Sequence, residues 1–251
     1  MTTSHQLPAL DCHAHIAPDV THRQLAALGD AAVFAVTRDL DEADAVTNRH
    51  DKKLVWGIGV HPALPAAVAA YDPDRFRALL PHFAFVGEVG MDRRTPLDSG
   101  RAVFSDILTA CSDRPVLISV HSTGRVSAVL DELENKRHVG VILHWFTGAS
   151  RDLARALEMN LYFSVNAAMP DTVFEAIPRD RLLPETDFPA RTVRAQRPGH
   201  VDTLEDRLST VWGQGVRDVR YRLWRNLKTI AVDSGAIETL PENIADIIVA
   251  T

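Results

Sequence analysis

PVLISVH (115–121) is a short aliphatic and β-branched run that stops on a histidine. RVSAVLDELENK (125–136) follows it with apolar residues three and four apart, and VGVILH (139–144) is a second run that again stops on a histidine. The order is strand, helix, strand. Working outward, the same unit recurs along the whole chain. The runs are ALDCHAH (9–15), AAVFAVT (31–37), LVWGIGVH (54–61), FAFVGEVG (83–90), the two already quoted, NLYFSVN (160–166) and LLPETD (182–187). They recur at roughly 20–30 residues, the length of a βα repeat. FRALLPH, RAVFSDILTACS and SRDLARALEMN supply further helices between them, and LEDRLSTVWG and VRDVRYRLWRNLKTIA follow the last run. Ser150 and Asp152, at the start of one such pattern, have the chemistry of helix N-caps. Eight such units in 251 residues predict an α/β fold, a (β/α)8 TIM barrel, as a single domain over residues 1–251. The alternative is an open doubly wound sheet, but its glycine-rich phosphate turn after the first strand is missing.

Composition narrows the class. Hydrophobic residues make up 46% and charged residues 24%, which excludes a disordered chain. Lys and Arg number 27 against 33 acidic residues, for a net charge of −6. That balance argues against passive coating of nucleic acid, but not against an enzyme whose metal ions supply local positive charge. No run approaches the roughly 18 apolar residues of a membrane span, and MTTSHQLPALDC lacks the features of a secretory signal. Cys12 and Cys111 cannot build a disulfide framework, so a cytoplasmic protein without membrane contact is expected.

Ligand-type side chains sit where the strands end. His13 and His15 end the first run, Glu88 the fourth, His121 the fifth, His144 the sixth, and Glu185 and Asp187 the eighth. In a barrel these ends converge on one face, where catalytic groups of this fold lie. Alternation along a strand puts His13 and His15 on one side, so both can bind one ion, and Cys12 on the other, in the core. Glu185 and Asp187 obey the same rule. Converging buried carboxylates need cations to offset their repulsion. Imidazole with carboxylate suits Mg²⁺, Mn²⁺ or Zn²⁺ without choosing among them. His5, His22, His50, His82, His138 and His200 are read as bystanders.

DCHAH, GIGVHP, VGEVGMD, ISVHS, ILHWFTG and LLPETDFP, in this order and spacing, resemble the TatD-like metal-dependent nucleases. The resemblance runs from about residue 9 to 190 and weakly on to RNL at 225–227. HWFTG, YFSVNAAM and PRDRLLPETD look most like the branch found in Qat-type anti-phage defence systems. The resemblance implies an amidohydrolase-type TIM barrel that hydrolyses DNA phosphodiesters with two divalent metal ions. It implies that His13 and His15 hold one ion, His121 and His144 the other, and that Glu88 bridges both. Asp187 would bind the first ion and act with Glu88 in catalysis, and His61 would meet a phosphate oxygen at the rim. DNA would be the substrate and other defence-system proteins possible partners.

Two departures touch substrate contacts. The family usually has Arg two residues after the fifth-strand histidine, where this chain has Thr123, with Arg125 nearby on a different turn. The family's Arg-Asn-Glu-Pro segment is replaced by ARTVRAQRPGHVD, in which Arg191, Arg194 and Arg197 stand with no acid between Phe188 and Val201, a local charge of +3 there. Those arginines read as a phosphate-facing loop or, equally, as a solvated or partner-docking loop. Trp145 reads as core or as a stacking platform for a base. Glu185 reads as a ligand-orienting or a structural acid. Asp92, after the GEVGM turn, reads as a helix cap or as a residue that positions loop water.

Three functions are compatible with this pattern. One is a metal-dependent DNase acting on single strands or ends. A second is an amidohydrolase acting on an amide or ester, although such barrels often need a bridging carbamylated lysine where this chain has Glu88. The third is an assembly or sensing module of a defence complex with little activity alone.

Overall fold

The computed structural model describes residues 7–251, so His5 lies outside the described residues. Each of the eight runs forms a strand: β1 Leu10–His15, β2 Ala32–Val36, β3 Leu54–Ile58, β4 Phe85–Gly90, β5 Leu117–His121, β6 Val141–Leu143, β7 Tyr162–Val165 and β8 Leu182–Pro184. They lie side by side in chain order, and each neighbouring pair is parallel. All strands therefore end on the same face. The ring closes between β1 and the segment after β8. There His15 N donates to Phe188 O at 2.8 Å and Asp187 N donates to His13 O at 2.9 Å.

Asp11 pins that seam. Its fully buried carboxylate accepts from Thr186 Oγ1 at 2.6 Å, Thr186 N at 2.9 Å and Gly199 N at 2.8 Å. Burial pushes its pKa up to about 6 against these hydrogen bonds.

Two apolar layers account for the alternating runs. The floor of the barrel takes one large side chain from every strand: Leu10, Phe34, Val55, Phe85, Leu117, Ile142, Tyr162 and Leu183. Phe34 and Phe85 meet edge to face across it, 5.2 Å between centroids. The long helix Val216–Asp233 closes it from below with Trp224, Leu227 and Ile230. Its Trp224 Nε1 donates to Pro8 O, and Asn226 Nδ2 donates to Leu182 O, at 2.8 and 2.7 Å. The outward strand residues, such as Val33, Ile118 and Phe163, belong to a second apolar layer that also takes in Phe104, Ile107 and Leu108 of the helix Leu97–Cys111.

Three local expectations are corrected. The helix Ser150–Glu158 is not capped by Ser150. Its N-cap is Ala149, whose N–H donates to the Asp152 carboxylate at 3.1 Å, so the acid acts from inside the first turn. The pairing of β1 shifts between Asp11 and Ala14, which breaks simple alternation. Cys12 is buried core as expected, but it joins Leu10 in the floor cluster instead of facing away from the barrel interior. Finally, β8 stops at Pro184, so Glu185 and Asp187 lie just beyond the strand and not on it. Among the described residues no helix is long and apolar enough to cross a membrane.

Candidate metal centre

The C-terminal ends of the strands bring the sequence-predicted ligands into one cluster. His13 and His15 come from β1, Glu88 from β4, His121 from β5, His144 follows β6, and Asp187 follows β8. Three overlapping triplets place their donor atoms within 4.8 Å of one another: His13, His15 and Glu88; His13, His144 and Asp187; Glu88, His121 and His144.

Glu88 is the hub, and its two oxygens face different partners. Oε2 lies 3.9 Å from His13 Nε2, 3.4 Å from His15 Nε2 and 3.3 Å from His61 Nε2. Oε1 lies 2.6 Å from His121 Nδ1 and 3.2 Å from His144 Nε2. Asp187 Oδ1 closes the first side, 3.7 Å from His13 Nε2 and 3.4 Å from His15 Nε2. Asp187 reaches this point with φ 45°, and Trp145, immediately after His144, has φ 40°. Such values are uncommon for non-glycine residues and concentrate at functional sites.

Three of the imidazoles are held from behind, each leaving one nitrogen for the cluster. His13 Nδ1 lies 2.7 Å from Ser119 Oγ, freeing Nε2. His144 Nδ1 lies 3.3 Å from Glu185 Oε2, freeing Nε2. His121 Nε2 lies 2.7 Å from Asp92 Oδ2, freeing Nδ1. Glu185 is itself fixed by Ser164 Oγ and by Asn166 Nδ2, the latter at 2.9 Å. It therefore orients the His144 ring. Asp92 does the same for His121, and this corrects its reading as a helix cap, because the next helix starts at Leu97 after Pro96. Carboxylates behind imidazoles fix ring orientation and raise ligand basicity.

Close approach of backbones explains the glycines in GIGVHP and VGEVG. A Cβ at Gly59 would collide with the Thr37 carbonyl and lie 2.5 Å from Glu88 N. Gly90 has φ 131°, and a Cβ there would run into the His121 backbone. Gly59→Ala should therefore push the Glu88 backbone away from Thr37. The expected cost is about 1–3 kcal/mol of stability, typical of overpacking, read by denaturant melts together with weaker metal binding.

The electrostatics favour a cation at the centre. Burial opposes charge on Glu88, but the surrounding His61 and His121 outweigh it and hold its pKa well below the carboxylate range. Burial likewise opposes charge on His15, yet Asp187 and Glu88 push it up to about 9. Burial and the neighbouring His144 hold His13 well below its usual value, so it stays neutral and offers a lone pair. Among the described residues, His13 Nε2 and Glu88 Oε2 are buried polar atoms with no hydrogen-bond partner. Unpaired buried groups are costly, and these two point at each other across a gap ringed by nitrogen and carboxylate oxygen donors. That donor set fits divalent cations. Glu185→Gln tests the support behind it. The variant keeps the shape but loses the charge behind His144, and metal affinity should fall about 10–100-fold in a chelator competition.

The cluster opens into a cleft of about 540 Å³, lined by His15, His61, Glu88, His121, His144 and Asp187 together with Arg94, Thr123, Trp145, Thr147, Pro189 and Ala190. Trp145 is half-buried, packs against the core as one reading expected, and also lines this cleft. Arg191 and Arg194 are exposed and Arg197 is half-buried, and none of the three lines the cleft. Arg94 and Ser119, which lies against the His13 ring, carry no signal in the sequence pattern that marks them as site residues. Arg94 stands two residues after Asp92, a spacing that lets its fork return to that carboxylate.

A family profile described as TatD related DNase matches residues 10–231. The uncharacterised metal-dependent hydrolase YabD of Bacillus subtilis (strain 168) is 32% identical over 150 residues, covering 54% of this chain and 58% of that protein's length. The 3'-5' ssDNA/RNA exonuclease TatD of Pantoea vagans is 24% identical over 220 residues, 74% of this chain and 84% of that protein. Among solved structures, the TatD homolog YJJV of Escherichia coli K12 superposes with a TM-score of 0.71 at 15% identity, over 88% of this chain and 97% of that one. It shares the fold.

Proposed function

We propose, since this chain belongs to the TatD related DNase family, that it is a divalent-metal-dependent hydrolase of DNA phosphodiester bonds and forms one barrel domain throughout. The observation that carries the reading is the division of Glu88, with Oε2 toward His13 and His15 and Oε1 toward His121 and His144. One ion would be held by His13, His15 and Asp187, a second by His121 and His144, with Glu88 shared between them. Such ions, when bound, neutralise charge on the phosphate oxygens and make water a better nucleophile.

The chain's own groups do the rest. Asp187 is placed to accept the proton of the attacking water, because its carboxylate faces the cleft beside His15. Glu88 holds two sets of imidazoles in fixed relation. His61, 3.3 Å from Glu88 Oε2 and lining the same cleft, is placed to contact a phosphate oxygen. Arg191, Arg194 and Arg197 would meet phosphates of a longer strand outside the cleft. The wording HWFTG, YFSVNAAM and PRDRLLPETD supports a role in anti-phage defence, with further proteins of that system as partners, and the two free cysteines fit the cytoplasm. Incubation with Mg²⁺ or Mn²⁺ and labelled single- and double-stranded DNA tests the reading. Chelator-sensitive cleavage, stronger on the single strand, is expected. Intact DNA after incubation with metal-loaded protein would overturn it.

A further inference from the structure

We infer that Arg94 is the residue that grips a non-bridging phosphate oxygen of the substrate in the cleft, and that Asp92 holds it in place to do so. The inference rests on the phosphodiester reading above. Among the described residues that line the cleft, Arg94 is the one with a permanent positive charge. A phosphodiester entering a cleft that already contains Glu88 and Asp187 is helped by a fixed positive charge in the lining. The three loop arginines do not supply it, because they lie outside the lining.

The arrangement of Arg94 suits that task. Its Nε and Nη2 lie 3.0 and 3.2 Å from the two Asp92 oxygens, a two-point contact, and its backbone N donates to Asp92 Oδ1 at 2.7 Å. Nη1 makes no hydrogen bond among the described residues, and the side chain is 61% exposed. The guanidinium is therefore oriented on one edge and free on the other, as planar anion recognition requires. Asp92 is buried and its other contact is His121 Nε2. One carboxylate thus fixes both a ring of the metal cluster and the cation beside it. Across the cleft wall, Thr123 is short, and Arg93 N donates to its carbonyl at 3.1 Å, so the loops after β4 and β5 are tied together there.

The test is equilibrium binding of a fluorescent six-nucleotide DNA strand to the metal-loaded protein in which Asp187→Asn slows turnover, followed over a time in which the strand stays intact, with and without Arg94→Gln. The same strand carrying one neutral methylphosphonate, moved along the chain, serves as the second perturbation. Arg94→Gln should raise Kd about 10–100-fold, the effect of losing a charge-assisted hydrogen bond. It should reduce the slope of log K against log salt by about 1. One methylphosphonate position should weaken binding to the protein that retains Arg94 and have little further effect on the Arg94→Gln protein. Metal content should be unchanged. An unaltered Kd and salt slope, or lost metal with no coupling to any phosphate, would overturn the inference and leave Arg94 as a brace for Asp92. If the protein with both Arg94 and Asp187 intact cleaves no DNA, the phosphodiester reading has failed instead.

Discussion

Glu88→Gln protein should purify folded and hydrolyse no DNA above background, a loss of about three orders of magnitude or more. Gln fills the same volume, so the circular dichroism spectrum and melting temperature should stay close to those of the unaltered protein. What changes is charge. Glu88 is buried and touches nitrogens from four histidines within 3.4 Å, two through each oxygen. A neutral amide presents one oxygen and one N–H₂ to those partners, so at least one side of the cluster meets a donor where it needs an acceptor. Removing electrostatic organisation worth several kcal/mol from a water-poor site translates into rate at about 1.4 kcal/mol per tenfold. Full turnover in this variant, measured on labelled single-stranded DNA, would contradict the shared-carboxylate arrangement.

Asp187→Asn should separate proton transfer from binding. Asn is isosteric and can still offer an oxygen toward His13 and His15, but it is a far poorer base. Loss of a general base typically costs about 10²–10⁴-fold in turnover, and the variant should fall in that range. Substrate affinity should change little and metal content should drop modestly. Near-normal kcat would rule out the base role. Loss of both metal and substrate binding would show that Asp187 acts mainly as a ligand.

The residues at issue in both variants were visible in the sequence because of how a barrel works. Each βα unit is a local pattern, and a parallel ring sends every strand end to one face, so His121 and Glu88 meet although 33 positions separate them. The eight strands fell within the quoted runs for the same reason. What the pattern missed is set by geometry that periodicity does not carry. The register shift in β1 puts Cys12 into the floor, where alternation would turn it outward. The chain leaves β8 after Pro184 and turns through a positive φ at Asp187, so the position of that carboxylate depends on the seam to β1 and not on strand alternation. Asp92 looked like a cap because an acid before a helical pattern usually is one, yet its oxygens are taken by His121 and Arg94. Ser119 is an ordinary strand residue until the ring of His13 is seen lying against it. The charged run at Arg191, Arg194 and Arg197 drew attention by its density, whereas the single Arg94 lines the cleft.

Metal stoichiometry measured beside hydrolysis tests the central claim most directly. Protein stripped with a chelator and dialysed would be titrated with Mn²⁺, bound metal counted per chain by mass spectrometry, and cleavage of a labelled single strand followed at each point. The expected result is no cleavage by the stripped protein and a return of activity that is complete as bound metal approaches two ions per chain, as a shared bridging carboxylate requires. Full cleavage by the stripped protein, or full cleavage at saturation with a single bound ion, would contradict it.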